Sequence, residues 1–82
     1  MARHAQLEWR CRRGTRELDL LLQTWLRKSF DHSSEAEQEA FKELLDWPDD
    51  ALAGLLLGQD RPNDPKVNDL AGKIRALSLP VP

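Results

Sequence analysis

Thr15-Arg16-Glu17-Leu18-Asp19-Leu20-Leu21-Leu22-Gln23-Thr24-Trp25-Leu26-Arg27-Lys28-Ser29 decides the fold. Within it Leu18, Leu21, Leu22, Trp25 and Leu26 recur at the i, i+3, i+4, i+7, i+8 spacing of one helix face. A half-buried strand would need apolar residues at every second position, and no stretch of the chain shows that. β-Branched residues, the usual strand formers, are confined to Thr15, Thr24, Val67, Ile74 and Val81. The spacing predicts a helix over about 15–29. Each side chain of the stripe contributes about 1.5–3 kcal/mol if fully buried, more than a surface ion pair does, so this helix is expected at the centre of the packing.

Working outward, residues 3–13 predict a first helix with Ala5 and Trp9 on one side and Leu7 and Cys11 on another. Gly14 ends it as a C-cap or hinge glycine would. After the polar turn Asp31-His32-Ser33-Ser34, Ser34 and Glu37 have the spacing of a capping box. A third helix over about 35–46 then buries Phe41, Leu44 and Leu45. Pro48 suits the first turn of a fourth helix, with Asp49 and Asp50 near its positive N-terminal end. Leu52, Leu55 and Leu56 face inward there, and Gly58 closes it. Asp64-Pro65 opens a fifth helix with the stripe Val67, Leu70, Ala71, Ile74 and Leu77, and Pro80-Val81-Pro82 is expected to fray. No repeat or long linker divides residues 1–82, which read as one all-α, five-helix bundle.

The chain has 82 residues and 9.4 kDa, 40% of it hydrophobic. A domain of this size buries only about 60–65% of its unfolded surface, which disfavours an enclosed active-site cleft. No apolar run approaches the roughly 20 residues of a membrane span, and the N-terminal stretch is not that of a secretory signal. The net charge of −2 conceals its distribution. Residues 1–16 carry five arginines against Glu8 alone, whereas residues 31–69 carry eleven acids against Lys42, Arg61 and Lys66. Such asymmetry predicts two electrically different ends and points to a partner. The lone Cys11 excludes an internal disulfide, and two histidines supply no zinc set.

Catalysis finds little support. Asp31, His32 and Ser33 have the residue types of a hydrolase triad, but consecutive residues cannot adopt its geometry, and a solvated turn is the simpler reading. Arg10 and Arg12 flank Cys11 and would favour a thiolate, against the plainer reading of a half-buried helix residue. Asp49 and Asp50, and the ladder Glu35, Glu37, Glu39 and Glu43, fit a solvated face with N-terminal helix charges. No phosphate-binding glycine loop is present.

What remains is Trp9-Arg10-Cys11-Arg12-Arg13-Gly14-Thr15-Arg16-Glu17-Leu18-Asp19. With the stripe of the second helix inward, Glu17 and Asp19 fall at the solvent boundary and Arg16 points nearly opposite the core. Gly14 leaves the backbone bare, and arginine forks suit carboxylates or phosphates. Three readings compete: a plain helix junction with Arg13 and Glu17 paired across one turn, an arginine-rich nucleic-acid arm with Trp9 as a stacking platform, and docking onto another protein. A pI of about 5.6 and the acidic flank oppose the second.

These residues resemble the small succinate dehydrogenase assembly factors that promote flavin attachment. The signature of that family, R-G-x-x-E, stands here as Arg13-Gly14-Thr15-Arg16-Glu17, within the wider match from Trp9 to Asp19. Phe41-x-x-Leu44-Leu45-Asp46, an Asp-rich turn and a short apolar helix are similar too. One departure lies in the fourth helix, where members commonly carry a Phe and a Trp and this chain has Ala53 and Leu55.

The resemblance implies a five-helix binding protein without catalysis of its own. It would engage the flavoprotein subunit of succinate dehydrogenase, and in bacteria often the related fumarate reductase, and assist covalent linkage of FAD to a histidine of that subunit. FAD would belong to the client, with none bound stably by this chain, which has no dinucleotide fingerprint or βαβ unit. Arg13, Gly14 and Glu17 are then the expected contact, with Arg12, Trp9 and Arg16 supporting it. A monomer in the bacterial cytoplasm, binding neither nucleic acid nor membrane, is expected. The family has also been labelled the antitoxin half of a toxin–antitoxin pair, which stands as the second reading.

Overall fold

The helical stripes read from the sequence assemble in a computed structural model that describes residues 4–78. Five α-helices run in order: α1 (Ala5–Arg10), α2 (Arg16–Lys28), α3 (Glu35–Leu44), α4 (Asp49–Leu56) and α5 (Pro65–Ser78). A 3-10 turn, Phe30–His32, links α2 to α3, and no strand occurs among the described residues. The expected helix start at Arg3 and the Pro80-Val81-Pro82 terminus lie outside the described residues.

Local chemistry accounts for most of the boundaries. The Ser34 hydroxyl accepts from the Glu37 amide at 3.2 Å while the Glu37 carboxylate accepts from the Ser34 amide at 3.3 Å, completing the capping box of α3. Pro48 is the N-cap of α4 rather than part of its first turn, with Asp49 and Asp50 opening the helix. Asp64 takes the amides of Lys66 and Val67 on one carboxylate oxygen, so α5 starts with Pro65 at its first position.

Leu18, Leu22, Trp25 and Leu26 of α2 are buried, Leu21 of the expected stripe is only partly so, and the centre is shared with α5. That helix packs on α2, α3 and α4 through Val67, Leu70, Ala71 and Ile74. The small Ala71, fully buried, lets its neighbours approach closely. Trp25 lies 4.7 Å from Phe41 and 5.9 Å from Phe30 between ring centroids, and Phe30 and Phe41 meet at 5.8 Å, so three aromatic rings form one cluster. Leu55 is fully buried and Ala53 packs at the edge of the core.

Two further expectations change. Leu77 is 36% exposed, because the last turn of α5 borders an open groove of about 560 Å³ beside Trp25, Lys28 and Lys73 instead of another helix. The first helix stops at Arg10, leaving Arg12 and Arg13 in a loop.

Candidate partner-binding site

The Cys11–Thr15 loop is shaped by a carboxylate from the following helix. The main-chain N–H of Arg13 donates to Asp19 Oδ1, six residues on, instead of continuing the hydrogen-bond ladder of α1. The chain then passes through Gly14 at φ +81°, in the left-handed region where a side chain costs about 1–2 kcal/mol. Extended Thr15 caps α2 without a side-chain hydrogen bond, so the Asp19 carboxylate is the side-chain tie between this loop and the helix, beside the main-chain bond from the Asp19 amide to the Thr15 carbonyl at 2.9 Å.

Arg13 turns inward. Its Nη2 donates to the Leu45 carbonyl at the end of α3, and Nη1 donates to Asp49 Oδ1 at the start of α4, 3.4 Å away. The side chain is 15% exposed, and its buried Nε has no hydrogen-bond partner among the described residues. The pairing of Arg13 with Glu17 considered from the sequence is therefore not formed. The guanidinium instead bridges the α3–α4 junction, satisfying a terminal carbonyl that the helix cannot satisfy itself.

The other signature residues point outward. Glu17 and Arg16 are exposed, with no hydrogen-bond or ion-pair partner among the described residues. Trp9 is 72% exposed, with the Arg12 guanidinium 6.0 Å from its ring centroid. Leu20 continues this face along α2 at 59% exposure. A Cβ placed on Gly14 would meet nothing within 4 Å. The exposed residues from Trp9 to Glu17 thus offer a bare backbone, an indole with the Arg12 guanidinium over it, and an unpartnered guanidinium and carboxylate at Arg16 and Glu17.

Residues 5–78 match the model of the family described as flavinator of succinate dehydrogenase. The chain belongs to this family. It is 40% identical to the FAD assembly factor SdhE of Methylococcus capsulatus over 94% of this chain and 93% of that one. It is 38% identical to the FAD assembly factor SdhE of Coxiella burnetii over 89% of each, and 42% identical to that of Xylella fastidiosa over 88% of this chain and 74% of the relative. No solved structure gives a significant match.

In this member of the flavinator family the opposite charges of the two segments do not form separate ends. Arg10 pairs with Asp46 and Arg13 with Asp49, and the His4 ring is hydrogen-bonded to Asp31 at 2.7 Å. The basic N-terminal segment folds onto the acidic one, so two of its arginines are paired within the molecule. Arg12 and Arg16 are the arginines of that segment without an ion pair among the described residues, Arg12 lying over the Trp9 ring. The partners of His4, Arg10 and Arg13 lie 27 to 36 residues away, a distance over which sequence spacing carries no signal.

The flavinator-family Cys11 is fully buried, and its thiol is pushed up to about 12. Desolvation is the largest cause, and the charges of Glu8 and Asp19 add to it, outweighing the lowering by Arg13 and Arg10. The thiolate considered from its arginine neighbours is thus disfavoured. His32 is exposed at the end of the 3-10 turn, while Asp31 is engaged by His4. Among the described residues no group of three His, Cys, Asp or Glu could hold a metal ion, and no helix is long and apolar enough to cross a membrane.

Proposed function

We infer that this chain is an assembly factor that binds the flavoprotein subunit of succinate dehydrogenase and promotes covalent attachment of FAD to it. The related fumarate reductase subunit is a second client on this reading. The observation that carries it is the outward, unpartnered placement of Gly14, Arg16 and Glu17 beside Trp9 and Arg12, on a chain of the flavinator family. Free charged groups on a preformed loop can make charge-assisted bonds to a partner without first breaking internal ones.

The chain contributes contacts, and the flavin chemistry belongs to the client. A client that samples arrangements competent and incompetent for attachment is shifted by whatever binds the competent one better. A tenfold preference corresponds to about 1.4 kcal/mol and raises the ratio of the two arrangements tenfold. The buried Cys11 thiol is poorly placed to act as a nucleophile in such a step. Around this loop Arg16 and the Trp9-stacked Arg12 are a small electrostatic footprint for nucleic acid, which favours a protein partner. A bacterial cytoplasmic monomer fits this role.

Gly14→Arg tests the reading. The variant is expected to keep its helical circular dichroism yet fail to co-purify with the flavoprotein subunit, whose covalent flavin fluorescence on a denaturing gel should fall. Normal co-purification together with normal covalent flavin would overturn it. Recovery of a small toxin or an RNA in place of a large flavoprotein would favour the antitoxin reading.

A further inference from the structure

We propose that Arg13 is a positioning residue, not a client contact, and that Asp19, Asp49 and the Leu45 carbonyl clamp it so that the Gly14–Glu17 segment is presented in one conformation. This rests on the partner-binding reading above and adds which residues set the shape of the docking loop.

Three bonds on one residue carry the proposal. The Arg13 amide is held by Asp19 Oδ1 on α2, and its guanidinium by the Leu45 carbonyl and Asp49 Oδ1 across the α3–α4 junction. Main chain and side chain of Arg13 are therefore anchored to different helices, on either side of the loop. Gly14 follows immediately, and its left-handed φ has no Cβ to define it, so the neighbouring anchors must do so. Thr15 supplies no side-chain cap that could substitute. The signature arginine and its glycine thus divide the work: one fixes the loop from within, the other leaves the outer surface open. Lysine could not replace Arg13, since a single ammonium cannot span the carbonyl and the carboxylate as the planar fork does.

Asp19 is the position to test, because its carboxylate is half-buried and turned toward the loop. In Asp19→Ala the Arg13 amide of the isolated protein, which the carboxylate holds, should exchange about tenfold faster, and the Kd for the flavoprotein subunit should rise about tenfold, as expected for one lost hydrogen bond to a charged acceptor. Asp19→Asn keeps an acceptor for the Arg13 N–H, and both readouts should return close to the native values. In the double variant Asp19→Ala/Arg13→Ala the losses in binding should not add, because both act through one loop. Unchanged loop exchange in Asp19→Ala overturns the clamp. So does faster exchange with native client affinity, or an Asp19→Asn variant as weak in binding as Asp19→Ala, which would make the carboxylate a direct contact. The exchange measurement needs no client, so failure of the native protein to bind the flavoprotein is read separately from failure of the clamp.

Discussion

Arg10 and Asp46, thirty-six residues apart, form an ion pair that ties the first helix to the end of the third. Around it, Glu8 accepts from Arg27 on α2 at 2.8 Å, and His4 meets Asp31. None of the six residues of α1 is buried; Leu7 packs partly on the core, and Cys11 just beyond the helix is the anchor that goes fully inside. Ion pairs therefore hold α1 to a degree unusual in this molecule, where the other helices are held by leucine and aromatic burial.

Salt should loosen α1 selectively. Exposed pairs contribute up to about 1 kcal/mol each and are screened once the Debye length falls to about 3 Å in 1 M salt. Between low and high salt, amide exchange in α1 should accelerate while α2 and α5 keep their protection. Arg10→Ala should give the same local loosening at low salt. Equal protection of α1 under both conditions would show that Leu7 and Cys11 suffice to hold it.

The pH dependence at the alkaline end should be set in part by Cys11. Its thiol titrates near 9 when the chain is unfolded and at about 12 in the fold, so the unfolded state gives up its proton first. The sign follows: above pH 9 the native state holds more protons, and stability falls as pH rises toward 12. The contribution is fully present below pH 9 and is lost at up to about 1.4 kcal/mol per pH unit above it. Urea midpoints of the native protein measured from pH 8 to 11 should fall more steeply than those of Cys11→Ala. Parallel slopes would rule this out, as would rapid labelling of the native thiol at pH 8.

In the core, the cluster of Trp25, Phe30 and Phe41 should dominate mutational loss. Trp25→Ala removes a fully buried indole in contact with both phenylalanines and should cost about 3–5 kcal/mol. A chain this small has a total stability of about 4–12 kcal/mol, so the variant should lose a large share of it and melt well below the native protein. Trp47→Ala, at a site only partly buried, should shift the urea midpoint much less. Equal shifts for the two would mean that the core is not organised around Trp25.

What could be read from the residues was what the chain encodes locally. The α2 stripe, the Ser34–Glu37 capping box and the Asp64-Pro65 start of α5 all depend on neighbours within one or two helical turns, and the structure contains each of them. The early end of α1 depends on Asp19, which reaches back across a loop whose conformation no spacing rule specifies. Arg13 reads as an outward contact for the same reason: Leu45 and Asp49 lie 32 and 36 residues along the chain, and only the fold brings them to it. Leu77 obeys the helical period and is still exposed, because periodicity describes one helix and not where its neighbours end. The corner at Trp9, Arg12, Gly14, Arg16 and Glu17 was legible as a surface, since every one of these except Arg12 and Trp9 follows from the phase of α2 and the bare glycine before it.

Gly14 allows backbone conformation and surface access to be separated. At φ +81° a Cβ is strained, but it would meet no atom within 4 Å, so substitution there stores conformational cost without a clash. Gly14→Ala should lower stability by about 1–2 kcal/mol, and Gly14→Asn by less, because asparagine tolerates the left-handed region. If binding tracked stability, asparagine would be the milder change in both measurements. If instead the partner approaches the bare backbone, asparagine should bind the flavoprotein subunit worse than alanine despite being the more stable protein, since its side chain projects further into the contact. Melting temperature and Kd measured on the same two variants decide the matter. An asparagine variant that is both more stable and tighter-binding than alanine would mean that the glycine serves the loop's conformation alone.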